Sequence, residues 1–566
     1  MLAQVAAIGA AVFYATRYVW GDLHHRVIGV TETHWVEGVM WWYWNITSAA
    51  FYGHYPLDNN LHGYPVGYDH IALVGNFADA AMSAPFFWLF QPPAAYNLTI
   101  TAFLLFNGLA AWWALRRWGG GPVIATLFGI VNTFHPLFHF FLDEGRPTQL
   151  LFGWVYLAIG ATRALIDDPH HGRRWPLVLG LTGSFVCFWF NGFFLYLLLP
   201  MVAFAHARGL EPADRRALIG RGLTAFLWAM VCAFPFGLPV LYDVLWGEGI
   251  KGVALFTMPN PLEDFLFAAR PWEVLLPDSR YSMHFPYSLS GVALVALVSW
   301  RRWRGALPGR AGWVLGALLF WVLTLGPYLI LDEAPVKVGG RLVSLPWAWI
   351  NFAIPFYSRL SYPYLVFPFF LFSVLVVVSA AMQGLSKNRW RLVAPVVGVV
   401  VAAEVGMTSG YTATVEAFSI PAWYTTLRDD ADVRAIIEYP FGAMEFRQVH
   451  QAVHHKPMIN SRGPETDVFK MNAALGTLVE QTPALSWLYE YQMRGKSLSH
   501  YGERERAQLV ALGYDRMVVS AQSVGRSDRL RRVGLTGVVA DLTGVFGQPI
   551  HEDDDVVVFE ITGATR

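Results

Sequence analysis

Two cysteines in 566 residues, Cys187 and Cys232, both inside apolar stretches, leave no material for a disulfide framework or a thiolate metal site. They read as small buried hydrophobes. Charge is scarce as well: 14% of residues are Asp, Glu, Lys or Arg, where a soluble domain has about a quarter. The 41 basic and 41 acidic side chains cancel, so nothing in the charge balance draws the chain to nucleic acid. There is no phosphate-cradling glycine loop, no nucleophile elbow and no zinc-protease helix motif. The opening stretch, Leu2 to Trp20, lacks the charged flank and small-residue cleavage site of a secretory signal and reads as a retained membrane helix. What is abundant is apolar surface: 55% hydrophobic residues, 24 Trp, 40 Phe and a mean hydropathy of +0.38. That is more than one or two soluble cores can hide, so the bilayer is the solvent and the chain is a multipass membrane protein.

Apolar runs long enough to cross the hydrocarbon layer follow at 94–115, 121–141, 148–166, 175–190, 192–207, 219–242, 286–300, 311–330, 362–382 and 391–407, making about eleven transmembrane helices with the first. The basic clusters are Arg116/Arg117, Arg173/Arg174, Arg208 with Arg215, Arg216 and Arg221, Arg301/Arg302/Arg304 with Arg310, and Lys387/Arg389/Arg391. Each follows an even-numbered span. The positive-inside rule therefore predicts a cytoplasmic N-terminus, with loops 21–93, 142–147, 243–285 and 331–361 and the tail after 408 outside. This holds if the apolar stretch 71–90, which carries Asn76 and Asp79 and ends in Gln91-Pro92-Pro93, lies in the plane or re-enters.

The predicted architecture is an α-helical polytopic membrane domain over 1–407 and a small extracytoplasmic α/β domain over 408–566. In the tail, charged residues return. Runs 435–439, 516–520 and 556–560 read as strands, and 466–483 and 501–512 as helices. Between Trp35 and Phe51, apolar Trp35, Val39, Trp42 and Ile46 fall at helical spacing, predicting an amphipathic helix in the interface plane with its indoles at headgroup depth. His450, His454 and His455 have no acidic or cysteine partner at matching spacing and read as an exposed polar helix face rather than a zinc site. The sequons at Asn45 and Asn97 lie at membrane depth and read as chance matches.

The informative residues are acids in the outside loops. Glu32, in Thr31-Glu32-Thr33-His34-Trp35, fits a helix-capping acid and equally a general base for a lipid-borne substrate at the membrane surface. Glu37 lies on a different azimuth and is the weaker candidate. Glu32 is followed by Trp41-Trp42-Tyr43-Trp44, Gly53-His54-Tyr55-Pro56 and Tyr64-Pro65-Val66-Gly67. This series resembles the first outside loop of bacterial multipass glycosyltransferases of the GT-C superfamily. In the tail, His455-Lys456-Pro457 and Leu512-Gly513-Tyr514-Asp515 are similar to that group as well. The family more often carries Asp in a Gly-Asp pair where this chain has Thr31-Glu32.

The resemblance implies an enzyme that transfers a sugar from a polyprenyl-phosphate donor to an envelope glycan or protein acceptor on the outer face of the bacterial cytoplasmic membrane, with inversion. Glu32 would take the acceptor proton. Arg146, then Arg359, then Arg270 and Arg280 in the 243–285 loop, are the cations for the leaving phosphate. Asp143 and Glu144 form a second acidic site, and adjacent acids in so short a loop allow at most one as a ligand of a divalent metal. No cofactor is assigned beyond that. Two other classes remain open: a transporter or flippase of lipid-linked glycans, for which Asn191-Gly192 and Pro235/Pro239 interrupt spans, and a non-catalytic member that binds envelope partners through its tail.

Overall fold

A computed structural model describes the chain except residues 32–34, 54–57, 60, 70–76, 247–268, 277–281, 304, 308, 332–333, 355–361, 386–392, 442–447, 460–472, 528 and 563–566. The chain forms two compact units. One comprises Met1–Gly21, Val74–Asp79 and Leu98–Thr414; the other comprises Asp22–Leu73, Ala80–Asn97 and Val415–Arg566.

The first unit is helical. Among the described residues six stretches are long and apolar enough to cross a membrane: Pro92–Arg117, Pro122–Asp143, Pro147–Asp167, Trp189–Ala207, Pro212–Pro239 and Pro363–Gly384. Five shorter apolar helices, Leu2–Ala15, Trp175–Cys187, Tyr287–Val298, Arg310–Thr324 and Val393–Ser409, account for the remaining expected spans. Helices pack closely where side chains are small, since lipid-facing surface offers no hydrophobic drive for association. A Cβ on Gly180 would lie 2.5 Å from the Ala158 backbone nitrogen, and one on Gly312 would lie 2.8 Å from the Met201 carbonyl.

Three spans differ from continuous helices, each for a local reason. The 121–141 run breaks into Pro122–Thr133 and Pro136–Asp143. Pro136 lacks an N–H and pushes His135 out of the helical region, and the His135 ring then accepts from the Leu137 amide at 3.1 Å. The 148–166 run is a turn, Pro147–Leu150, followed by Gly153–Asp167. Asn107 closes that gap: its amide donates to the Leu150 carbonyl and its oxygen accepts from the Gly153 N–H, both at 2.7 Å. Backbone polar groups freed at membrane depth need such a partner. The 311–330 run ends as a helix at Thr324, before Gly326-Pro327, and Ile330–Leu331 pairs with Ala334–Pro335 as a hairpin. The 71–90 segment contributes the helix Phe77–Leu89.

The second unit is α/β. Its sheet orders His551–Glu552, Val556–Glu560, Tyr514–Ser520 and Ala435–Tyr439, with the last two strands parallel and the others antiparallel. Ala435–Tyr439 is buried along its whole length, as expected of a strand covered on both faces. One face packs on the helices Ala473–Gln481, Pro483–Arg494 and Leu530–Phe546 through Leu485, Leu488 and Leu542, and the other on Tyr424, Leu427 and Val453. Glu503–Ala511 is the helix expected over 501–512. First-loop residues belong to this unit as well. Arg26–Ile28 pairs antiparallel with Val415–Ala417, and Asn97 bonds the Ile28 N–H and the Arg26 carbonyl at 3.0 and 2.7 Å.

The helix Trp35–Tyr52 forms where the pattern predicts it, but the indoles of its middle are turned inward rather than out toward headgroups. Trp41, Trp42, Tyr43 and Trp44 are all buried. Their rings pack within the unit, Trp41 stacked on His62 at 3.9 Å and Trp44 on His455 at 5.3 Å. Both sequon asparagines, Asn45 and Asn97, are buried too.

Candidate functional site

The first-loop and tail motifs meet one another. Trp41 donates its indole N–H to Gln451 at 2.8 Å, and Gln451 in turn donates to the Leu61 carbonyl at 2.6 Å. Met458, one residue past His455-Lys456-Pro457, exchanges backbone bonds with Leu61 and Tyr64 at 2.9 and 3.0 Å. The Tyr514 hydroxyl donates to the Tyr64 carbonyl, and the two rings meet edge to face at 5.6 Å. Gly513 has φ +96°, and a Cβ there would lie 2.5 Å from the Tyr64 hydroxyl, so Tyr64 and the tail turn fit only with glycine between them. Gly67 closes the Tyr64-Pro65 turn onto the Gly63 carbonyl at 3.0 Å. Trp41, Tyr64, Pro65 and Gly67 therefore splice the first loop to the tail strands. Gly53 is described; the rest of the Gly-His-Tyr-Pro element lies outside the described residues.

Glu32 lies outside the described residues, but its neighbours do not. Glu416 accepts from both the N–H and the hydroxyl of Thr31, at 2.7 and 2.6 Å. Thr31 lines a polar cavity of about 170 Å³ with Glu37, Phe418, His450, Ser520, Gln522 and Asp555. Glu37, Phe418, His450 and Ser520 are buried; Gln522 and Asp555 are exposed. Carboxylates, hydroxyls, an amide and an imidazole in one hollow suit a polyhydroxylated ligand, each hydroxyl of which both donates and accepts.

The histidines correct the sequence reading. His450 and His454 are buried, not an exposed face: Tyr424 stacks on them at 4.4 and 5.5 Å, and Glu438 stands 3.6 Å from His450 Nδ1. Burial pushes His454 down to about 3 and His455 down to about 4. The carboxylate near His450 comes from a strand twelve residues upstream, so helical spacing could not reveal it.

In the helical unit, Asp143-Glu144-Gly145-Arg146 is one tight turn. Gly145 sits at φ +65°, and the Arg146 N–H returns to the Phe141 carbonyl at 2.8 Å. Pro147 then opens the next helix. The Arg146 guanidinium donates to the Tyr364 hydroxyl at 3.1 Å, lies 3.4 Å from the Glu144 carboxylate and sits 5.5 Å over the Tyr362 ring. Its side chain is 16% exposed, so the charge is held in place without being fully enclosed. Two residues on, Thr148 donates to Asp79 at 2.7 Å. Asp79 is fully buried; a carboxylate inside the apolar 71–90 run is the sequence signal for such a residue.

Arg270 precedes the short turn Glu273–Leu275, where the buried Glu273 accepts from the Arg270 N–H at 3.0 Å. That turn closes one end of an apolar groove of about 390 Å³ lined by Val274, Leu275, Phe285, Leu294, Trp321 and Phe370. Arg359 and Arg280 lie outside the described residues. Among the described residues no group of three or more His, Cys, Asp or Glu is arranged to hold a metal ion, so Asp143 and Glu144 do not make a metal site by themselves.

No protein-family model and no curated protein matches the sequence. Solved structures do match in fold. The cryo-EM structure of arabinofuranosyltransferase AftD from mycobacteria aligns with a TM-score of 0.54 at 12% identity, over 99% of this chain and 39% of AftD. This chain thus spans well under half the length of that protein. The apo oligosaccharyltransferase of Archaeoglobus fulgidus gives 0.49 at 10% identity, over 92% of this chain and 70% of the other. ArnT from Cupriavidus metallidurans gives 0.40 at 12% identity, over 99% and 97%. The likeness to AftD shows the fold alone: a polytopic helical architecture, joined in this chain to an α/β region that includes its C-terminal end.

Proposed function

We propose that this integral membrane protein is an inverting GT-C-type glycosyltransferase. It moves a sugar from a polyprenyl-phosphate donor to a hydroxyl of a bacterial envelope glycan or protein, at the outer face of the cytoplasmic membrane. In the step, the acceptor oxygen bonds to the anomeric carbon as the bond from that carbon to the phosphate oxygen breaks. The acceptor proton passes to the Glu32 carboxylate, and the freed phosphate keeps the electron pair. Arg146, with Arg359 and Arg270 as further cations, neutralises the charge that develops there. The apolar groove beside Val274 and Leu275 suits the prenyl chain, and the polar cavity beside Thr31 suits the acceptor sugar. Asp143 and Glu144 form a second acidic site that holds and tunes the Arg146 turn. A divalent metal, if bound there, would add positive charge for the phosphate and would draw ligands from beyond the described residues.

One observation carries this reading: a guanidinium braced by the Tyr364 hydroxyl and by Glu144, in the tight connection 144–146 between the apolar stretches Pro122–Asp143 and Pro147–Asp167. The domain division proposed with it is a membrane domain within 1–407 and an outside domain over 408–566, the latter forming one compact unit with the first-loop residues Asp22–Leu73 and Ala80–Asn97. The test uses the full chain in nanodiscs with a panel of polyprenyl-phosphate sugars carrying a labelled sugar. Glu32→Gln should abolish release of labelled sugar while leaving insertion and thermal stability unchanged. Wild-type rates in that variant would reject Glu32 as the base.

A further inference from the structure

A second groove in the helical unit has no place in that reaction. It holds about 480 Å³ between the helices Gly153–Asp167, Trp175–Cys187, Trp189–Ala207 and Pro212–Trp246. Leu181, Tyr196, Leu199, Ala203, Leu223 and Phe226 line most of it, and Arg208 and Arg215 stand at one end. The helix from Tyr196 to Arg208 rises about 18 Å, close to the ~15 Å depth of one leaflet. The groove therefore runs from a charged rim to about the bilayer midplane.

The rim is built, not incidental. Arg208 sits 4.7 Å over the Phe204 ring, and Arg215 donates to the Leu210 carbonyl at 3.4 Å, so both guanidiniums are held at the mouth and exposed. Arg221, on the same helix as Arg215, donates to the His170 and Gly172 carbonyls and ties the adjoining loop to it. Nearby carboxylates are engaged elsewhere: Asp214 with His170 at 3.0 Å, Asp167 with Arg163 at 2.7 Å, and Asp168 with the His171 N–H at 2.8 Å. Glu211 is the acid that remains in that turn.

We infer that this groove is a binding site for a diacyl phospholipid with an anionic headgroup, its chains along Leu181, Leu199 and Phe226 and its phosphate between Arg208 and Arg215. An apolar trough one leaflet deep, ended by two guanidiniums, matches that molecule in length, polarity and charge. The site lies at the membrane surface rich in Arg173, Arg174, Arg216 and Arg221, the surface that the charge rule assigns to the cytoplasmic side, where no donor chemistry is proposed. It stands whether or not the transferase reading does.

The full chain, delipidated in detergent, is titrated with phosphatidylglycerol, phosphatidylcholine or a polyprenyl phosphate and read by native mass spectrometry. Phosphatidylglycerol should bind at least tenfold more tightly than phosphatidylcholine. Arg208→Ala and Arg215→Ala should each reduce that affinity about fivefold. Arg208→Lys with Arg215→Lys should keep the preference, which separates lost charge from misfolding. Ala203→Trp, filling the trough, should weaken both phospholipids while leaving the melting temperature within a few degrees. Equal binding of the two phospholipids, or unchanged phosphatidylglycerol affinity when Arg208→Ala and Arg215→Ala are combined, overturns the proposal. So does tight binding of the polyprenyl phosphate with no binding of phosphatidylglycerol.

Discussion

Arg146 shows how a single cation is made useful: the glycine before it sets the turn, the proline after it starts a helix, and Tyr364 fixes one guanidinium edge. Arg146→Ala removes the charge and should lower kcat/KM by about 10²–10³. Tyr364→Phe removes one hydrogen bond and should cost less than about tenfold. Single-turnover transfer from a labelled polyprenyl-phosphate sugar separates the two; equal losses would mean that Tyr364 does more than position Arg146. His454 makes a prediction of another kind. Folded, it titrates near 3, because burial disfavours its charged form; unfolded, it titrates near 6.5. The unfolded chain therefore binds more protons between these values, and stability present above about pH 6.5 is lost as pH falls. At pH 5 the loss is about 2 kcal/mol for this residue. Thermal melts at pH 7.5 and 5 should show the drop, and His454→Gln should flatten it; an unchanged slope would assign the titration elsewhere. Arg146 was legible in the sequence because the apolar runs on either side leave only 142–147 between them, and the helices close that gap further to 144–146. The environment of His454 was not, because Tyr424 and Glu438 reach it from thirty and sixteen residues away.

Elements show the same division between local and distant information. The membrane spans could be read because bilayer thickness sets the length of each apolar run, and the break at His135 is written in Pro136. Other breaks were hidden: the gap after Leu150 is closed by Asn107, which lies on a different helix. The Trp35–Tyr52 helix follows from its period but its environment does not, since the period that marks a membrane-surface helix also marks one whose rings pack inside the protein. What buries it, Gln451 and His455, is some four hundred residues downstream. The seam between loop and tail is testable at Gly513. Gly513→Ala forces a side chain onto φ +96° and into the Tyr64 hydroxyl, and should destabilise the α/β unit by about 1–3 kcal/mol. Limited proteolysis should then cut the tail faster than in the wild type. Adding Tyr64→Ala should recover part of that loss but not the backbone strain, so full recovery would show that the clash alone matters.

For the molecule as a whole, charge placement and apolar length together imply an orientation. The basic clusters at Arg116/Arg117, Arg173/Arg174, Arg208–Arg221 and Arg301–Arg310 alternate with the acidic turn Asp143-Glu144, so a single orientation keeps every cluster on one side. The proposed chemistry depends on it: a polyprenyl-phosphate donor at the outer face meets Arg146 only if that turn is outside. In that orientation Arg146 and the groove ended by Arg208 and Arg215 would face opposite sides of the membrane. Single-cysteine labelling decides the matter with little disturbance, since Cys187 is buried and only Cys232 of the native pair is exposed. In a Cys232→Ser background, Ser499→Cys places a thiol on an exposed residue of the tail, and Arg302→Cys places one in an exposed basic loop. With intact spheroplasts and a membrane-impermeant maleimide, Ser499→Cys should label at once and Arg302→Cys only after permeabilisation. Labelling in the opposite order would put Arg146 in the cytoplasm, and labelling of both in intact cells would mean that an odd number of the spans assigned between them fails to cross.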